Sequence, residues 1–228
     1  MFNLFYKKPF FIIITPVFDQ ALESVRLLVK DLKTQSYKNF QHILISNGLS
    51  PEIKKYIEDL SKTDKRFVYD EIDFEETPEW PYLLANLGKR RDYCLKKYTG
   101  ERYLFMDADL KLLDNSYFLK LQKAHKKTKM DVILTLVEVD DGKVLPIFPI
   151  KLSRIDMANF TFSKKIAKTY SYPTDFDPEF SVGNDYRFFS KISNTENTIL
   201  LNFISARRNG NKKYKTITEQ YVEDKNNR

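Results

Sequence analysis

Gly100-Glu101-Arg102-Tyr103-Leu104-Phe105-Met106-Asp107-Ala108-Asp109 is the stretch that decides the fold. Tyr103–Met106 is a short apolar run that reads as a buried strand, and it runs straight into two aspartates. A strand apolar on both faces belongs to a sheet covered by helices on both sides. The pattern recurs upstream. Phe10–Ile14 is a β-branched apolar run stopped by Thr15-Pro16, His42–Ile45 is stopped by Ser46-Asn47-Gly48, and Phe67–Tyr69 reads as a third strand. Between these runs, Leu22, Val25, Leu28, Val29 and Leu32 recur at helical spacing. Pro51 sits where a helix starts, with Ile53, Ile57 and Leu60 on one face. Tyr82–Tyr98 is helical, with Gly100 as its expected C-cap. This alternation predicts an α/β single domain with a parallel central sheet covered by helices on both faces. In such sheets ligands bind beyond the carboxyl ends of the strands, where Asp107 and Asp109 fall.

The second half is less regular. Asn115–Lys127 reads as a helix, Asp131–Glu138 as a strand, and Asp140-Asp141-Gly142 as a tight turn into Val144–Phe148. Pro173–Pro178 reads as a loop, Phe180–Ile192 as helical, and Asn197–Ile204 as an apolar strand. Residues 1–204 are expected to form the domain and 205–228 a basic tail or lid, carrying seven basic residues against three acidic ones.

A chain of 228 residues suits one domain, and 42% hydrophobic with 30% charged residues excludes wholesale disorder. No stretch approaches the roughly 20 apolar residues of a membrane span, and the start lacks the plan of a signal peptide. The single cysteine, Cys94, cannot form an internal disulfide, which points to a reducing compartment and a cytoplasmic location. It also excludes a cysteine-based structural metal site, and the two distant histidines, His42 and His125, do not supply one. A net charge of +7 favours anionic partners: nucleic acid, acidic lipid or a phosphorylated small molecule. The basic tail Arg207–Lys213 reads either as a lid over phosphates, with Gly210 as hinge, or as a cationic terminus resting on an anionic membrane.

Asp107 and Asp109 stand at i and i+2, so on extended backbone both carboxylates face one cation. Such oxygen ligands suit hard divalent ions, Mg2+ or Mn2+. The bare pattern is weak. With 18 aspartates in 228 residues, one or two Asp-x-Asp triplets arise by chance, and the chain has two, the other being Asp175-Phe176-Asp177. Placement directly after a buried strand is what separates the first from solvated loop aspartates capping a helix.

At this point the residues resemble a known family. Gly100 through Asp109 resembles the strand and metal-binding motif of glycosyltransferase family 2, on the nucleotide-sugar-binding fold called GT-A. The resemblance implies an α/β, Rossmann-like single domain with a mixed, mostly parallel central sheet flanked by helices. Phe11–Asp19 is similar to that family's first strand and nucleotide-binding loop, which would include Thr15, Pro16, Val17 and Asp19. Gln35–Phe40 resembles its link from first helix to second strand. Asn86–Asp92 resembles its glycine-then-arginine segment, with Arg91 in the arginine position. Gly183-Asn184-Asp185-Tyr186 resembles the element whose aspartate is the family's catalytic base.

The resemblance implies a donor that is a nucleoside-diphosphate sugar, UDP-sugars first, and a carbohydrate or glycan acceptor. A Mn2+ or Mg2+ ion on Asp109 and Asp107 would bridge the donor diphosphate. Arg91 would add a bidentate phosphate contact, and Asp185 would take the acceptor proton in a single displacement that inverts the anomeric centre. The products expected are glycans or polysaccharides. Two departures stand out: Ser46-Asn47-Gly48 replaces the aspartate that often follows the second strand, leaving Asn47 to face the base, and no histidine follows His125 to join a metal. Two other classes share part of these features. A sugar-nucleotide nucleotidyltransferase should carry a glycine-rich phosphate loop after the first strand, and Thr15–Gln20 contains no glycine. A noncatalytic nucleic-acid- or glycan-binding module would use the basic surplus with exposed aromatics and would not need the acidic residues; the reading adopted here has no nucleic-acid partner.

Overall fold

The computed structural model describes residues 8–76, 82–139, 142–151, 155–175, 177, 184–194 and 196–208. The chain opens with β1 (Phe11–Pro16), α1 (Leu22–Thr34), β2 (Phe40–Ser46), α2 (Pro51–Thr63) and β3 (Phe67–Glu71). It continues with α3 (Tyr82–Lys97), β4 (Arg102–Phe105), β5 (Leu110–Leu112), α4 (Tyr117–Thr128) and β6 (Val132–Glu138). The remaining elements are β7 (Val144–Leu145), β8 (Phe160–Ser163), α5 (Lys164–Thr169), α6 (Asn184–Ile192) and β9 (Thr198–Arg208).

The strands form one sheet in the order β3-β2-β1-β4-β8-β6-β9-β5, with β7 beside β6. The block β3-β2-β1-β4 is parallel, as the alternation of strands and helices requires. Beyond it, β8 runs antiparallel to both β4 and β6, β9 runs parallel to β6, and β5 closes the sheet antiparallel to β9. The sheet is therefore mixed, with its parallel part contributed by the first half of the chain.

Successive residues of a strand face opposite sides, and β1 shows the consequence. Phe11 and Ile13 join the core layer shared with α1, α2 and α4, whereas Ile12 and Ile14 join the layer shared with α3, α5 and α6. Ile12, Ile13 and Ile14 are fully buried, and each contributes about 1.5–3 kcal/mol relative to an exposed position. The apolar stripes of α1 (Val25, Leu28, Val29, Leu32) and α2 (Ile53, Ile57, Leu60) face the sheet as their spacing predicts. Gly48, with φ of 82°, provides the left-handed turn that ends β2.

Several expectations change. Gly100 is not a left-handed cap; it lies against Ile12, where a Cβ would come 2.7 Å from the side chain. β5, β8 and α5, of three, four and six residues, arise in stretches too short for their pattern to be read as elements in advance. β9 does not stop at Ile204 but continues to Arg208, because Ser205 and Ala206 are buried in the sheet. Of the expected turn Asp140-Asp141-Gly142, only Gly142, at φ of 77°, lies within the described residues. The start of the expected Phe180–Ile192 helix, Gly183 included, and Gly210 lie outside them.

Candidate active site

The carboxyl edge of the parallel strands gathers the site. Met106 N donates to Ile14 O at 3.0 Å, which extends β4 against β1. Leu110 N then donates to Asp107 O at 3.2 Å and closes a turn. Asp107 and Asp109 thus leave the strand on a turn rather than on the extended backbone expected. They share a cation for another reason: the guanidinium of Arg208, at the end of β9, lies between them. Its Nη1 is 3.1 Å from each Asp109 oxygen, and its Nη2 is 3.2 Å from Asp107 Oδ2 and 2.6 Å from Asp156 Oδ2.

α3 supplies the second cation. Gly88, Arg91 and Asp92 fall on one face of the helix by their three- and four-residue spacing, and all three act on Tyr172-Pro173. A Cβ on Gly88 would collide with the Pro173 carbonyl, so glycine lets the loop lie on the helix. Asp92 Oδ1 accepts from Tyr172 N at 3.0 Å. Arg91 Nη1 donates to the Tyr172 hydroxyl at 2.8 Å and to Asp185 Oδ1 at 3.3 Å, while Nη2 donates to Asp107 Oδ1 at 2.9 Å. Arg91 therefore ties the acid after β4 to the acid that opens α6.

Asp185 lies in the first turn of α6, where a carboxylate suits the helix dipole. It also accepts from the Tyr172 hydroxyl at 2.9 Å and from Met157 N at 3.2 Å. The short 3-10 turn Met157–Asn159 that presents this N–H is fixed by a reciprocal cap. Asp156 accepts from Ala158 N at 2.9 Å, and Asn159 Oδ1 accepts from Asp156 N at 2.7 Å.

Four carboxylates (Asp107, Asp109, Asp156, Asp185) thus surround two guanidiniums. Burial drives Asp109 up to about 6; Arg208 opposes the rise, and Asp107 and Asp156 add to it. Burial likewise drives Asp185 up to about 6 against the pull of Arg91. Asp107 is also buried, yet Arg91 and Arg208 together outweigh burial and hold it below the ordinary range. Burial opposes the Arg91 cation, but Tyr172, Asp107 and Asp185 more than compensate and raise it. Asp107, Asp109 and Asp185 each keep 32% of their side-chain exposure, enough for a ligand to reach them.

The remaining expected residues line the same edge with different commitments. Thr15 is buried, its hydroxyl 2.8 Å from His42 Nε2, and Pro16 and Val17 are buried behind it. Asp19 is exposed and accepts from Ser50 N at 2.6 Å. Asn47 donates to Phe74 O at 2.8 Å and accepts from Phe74 N at 3.2 Å, clasping the loop after β3. One N–H and one lone pair of its amide remain for a base. Asp175 and Asp177 stand apart and pair with Arg187. Sequence reasoning missed Asp156, which the spacing of a cap, Asp156 to Asn159, would have flagged. It placed Arg208 in a tail and did not single out Tyr172.

Whether a divalent ion fits can be judged from the donors. Carboxylate oxygens of Asp107, Asp109 and Asp156 are already drawn onto one cation, Arg208, and the cluster has two more carboxylates than guanidiniums. Hard oxygen ligands with unbalanced negative charge fit Mg2+ or Mn2+. No three acidic, histidine or cysteine side chains among the described residues converge on one point as they stand, so Asp109 and Asp107 would hold the ion with water and diphosphate oxygens.

A parallel half-sheet continued by antiparallel strands, in one mixed α/β domain, is the architecture of the GT-A fold. The chain belongs to glycosyltransferase family 2, whose model matches residues 12–192. It is similar to residues 1–349 of TarS from S. aureus in complex with UDP, at 15% identity and a TM-score of 0.69, covering 88% of this chain and 60% of that one. The same TarS fragment in complex with UDP-GlcNAc aligns at 17% identity and a TM-score of 0.65, covering 88% and 58%. The mannosyltransferase PcManGT of Pyrobaculum calidifontis, in complex with GDP-Man and Mn2+, aligns at 11% identity and a TM-score of 0.59, covering 89% and 57%. The chain thus spans less than two thirds of each of these structures, and at these identities the likeness is one of fold. No curated protein matches it by sequence. No helix among the described residues is long and apolar enough to cross a membrane.

Proposed function

We propose that this chain transfers a sugar from a nucleoside-diphosphate donor to an acceptor hydroxyl, with inversion, in glycan or polysaccharide synthesis. One observation carries the reading: Arg91 bridges Asp107 at 2.9 Å and Asp185 at 3.3 Å, joining the donor end of the site to its acceptor end. Asp19 and Asn47 form the nucleotide side, with Thr15, Pro16 and Val17 buried beneath them as the strand end that positions this loop, and with Asp107, Asp109 and Arg91 near the diphosphate. Uracil is the first candidate base, supported by the UDP and UDP-GlcNAc complexes of TarS, and guanine the second, supported by the GDP-Man complex of PcManGT.

Asp185 is the general base. Its raised pKa, about 6, suits a group that must accept a proton near neutrality. The Tyr172 hydroxyl and Arg91 occupy Oδ1 and the Met157 N–H takes one lone pair of Oδ2, leaving the other lone pair of Oδ2 for an acceptor hydroxyl. Loss of that proton makes the acceptor oxygen nucleophilic; it attacks the anomeric carbon opposite the diphosphate, which departs with the bonding pair. Arg91 is buried with both Nη atoms on Tyr172, Asp185 and Asp107, so it does not make the bidentate phosphate contact expected from the sequence. Held protonated by its anionic neighbours, it stabilises the growing charge of the diphosphate through its field and by holding Asp107 in place. When bound, Mn2+ or Mg2+ supplies further neutralisation of that leaving group.

The acid-rich site disfavours a nucleic-acid surface, since phosphate backbones seek lysine and arginine without competing carboxylates. The buried thiol Cys94 fits a cytoplasmic protein; contact with an anionic membrane through the residues after Arg208 remains part of the proposal. The test is release of nucleoside diphosphate from UDP- and GDP-sugars with a glycan acceptor mixture. Release by wild type and its loss in Asp185→Asn is the expected result; equal release by both would refute the assignment.

A further inference from the structure

Arg208 is placed by strand alternation. In β9, Ala206 is buried, Arg207 turns outward to Glu138 at 2.9 Å, and Arg208 turns into the carboxylate cluster. Its backbone is fixed by pairing of β5 with β9, which sets Leu110 opposite Arg208. Four bonds from one guanidinium to three carboxylates leave the cluster closed around a protein cation. Among them, the Asp156 bond is the shortest, and Asp156 is itself anchored as a helix cap, so this end of the guanidinium is held by a rigid partner.

We infer that Arg208 is the resident cation of the donor site, and that a divalent ion binds Asp107 and Asp109 by exchanging with it. The inference rests on the transferase reading above and adds a role for a residue which that reading leaves unused. Two physical arguments support it. A guanidinium and a hard divalent ion want the same carboxylate oxygens, so they compete for Asp109. Removing Arg208 from half-buried carboxylates also strips it of its own partners, which is costly unless another anion receives it. A donor diphosphate is such an anion. The ion alone therefore meets a closed site, whereas ion and diphosphate together supply both the replacement cation and a new partner for Arg208. Binding of the two is positively coupled, and the coupling is reciprocal.

The experiment is titration of the full chain with Mn2+, following free Mn2+ by electron paramagnetic resonance, alone and with saturating UDP or GDP. In wild type, the nucleotide should tighten Mn2+ binding by roughly tenfold or more, within the usual span of such couplings. Arg208→Gln should bind Mn2+ alone about tenfold tighter than wild type and show a correspondingly smaller nucleotide effect. Arg208→Lys, which keeps the charge, should fall closer to wild type, and Arg207→Gln should match it. Melting curves confirm that each variant is folded. Equal Mn2+ affinity of wild type, Arg208→Gln and Arg208→Lys, with nucleotide still bound, overturns the exchange and leaves the transferase reading standing. Failure of wild type to bind either nucleotide overturns both.

Discussion

Gly88 and Pro173 touch so closely that a single methyl group cannot be placed between them: a Cβ on Gly88 would overlap the Pro173 carbonyl oxygen and sit 3.0 Å from its carbon. This contact lays the loop that carries Tyr172 onto α3, within reach of Arg91. Gly88→Ala must push helix and loop apart. Overpacking of this kind costs about 1–3 kcal/mol, which in a chain of this size lowers the melting temperature by about 2–4 °C per kcal/mol. Activity should fall further than stability, since Tyr172 moves with the loop. A variant that melts and turns over like wild type would show that the packing is not needed.

The role of Asp185 separates chemistry from binding. A general base acts on the acceptor, so Asp185→Asn should lower turnover by about 10²–10⁴-fold while keeping the nucleotide-induced melting shift. Joint loss of nucleotide binding and turnover would make Asp185 a structural residue instead.

The acid limb of the pH profile carries the same information. With Asp185 at about 6, kcat/KM should rise with pH and level off above neutrality. The Tyr172 hydroxyl bond favours the ionised carboxylate, so Tyr172→Phe should move the limb to higher pH. An unshifted limb in that variant would detach Tyr172 from Asp185.

Stability should respond to pH in the opposite sense. Asp109 and Asp185 titrate near 6 in the fold but near 4 in the unfolded chain. The folded state therefore binds protons more tightly. Its stabilisation by them is complete below about pH 4 and is lost as pH rises through 6. In the unliganded protein, Asp109→Asn should flatten the fall in melting temperature between pH 5 and 7, as measured by differential scanning fluorimetry. An unchanged slope would show that Asp109 does not titrate there.

Much of the parallel half was legible because its physics is local. Apolar runs such as Phe11–Ile14 and Tyr103–Met106 are buried on both faces, and the stripes of α1 and α2 repeat at helical spacing. The segment that escaped notice, from Asp156 to Tyr172, has only a four-residue alternation at Phe160–Ser163 and a single turn of helix after it. β8, Phe160-Thr161-Phe162-Ser163, alternates apolar and polar residues, but four residues are too few to decide a strand alone; its stability comes from insertion between β4 and β6. Arg208 was hidden for a related reason. A run of basic residues reads as a tail unless the preceding Ser205 and Ala206 are known to be buried. The Asn86–Asp92 segment was recognisable by resemblance, but its physical reason, three residues of one helix face holding Tyr172-Pro173, emerges only from the folded chain.

The most direct test of the central claim is thermal shift with UDP, GDP, dTDP and CMP, each with and without Mn2+, on wild type, Asp109→Asn and Asp177→Asn, with DNA as a control. One nucleoside diphosphate with Mn2+ should raise the wild-type melting temperature, as a ligand at 100 times its Kd stabilises by about 2.7 kcal/mol. That shift should survive in Asp177→Asn and collapse in Asp109→Asn, and DNA should give none. Absence of any nucleotide shift in wild type, or an undiminished one in Asp109→Asn, would contradict a nucleotide-sugar site at the end of β4.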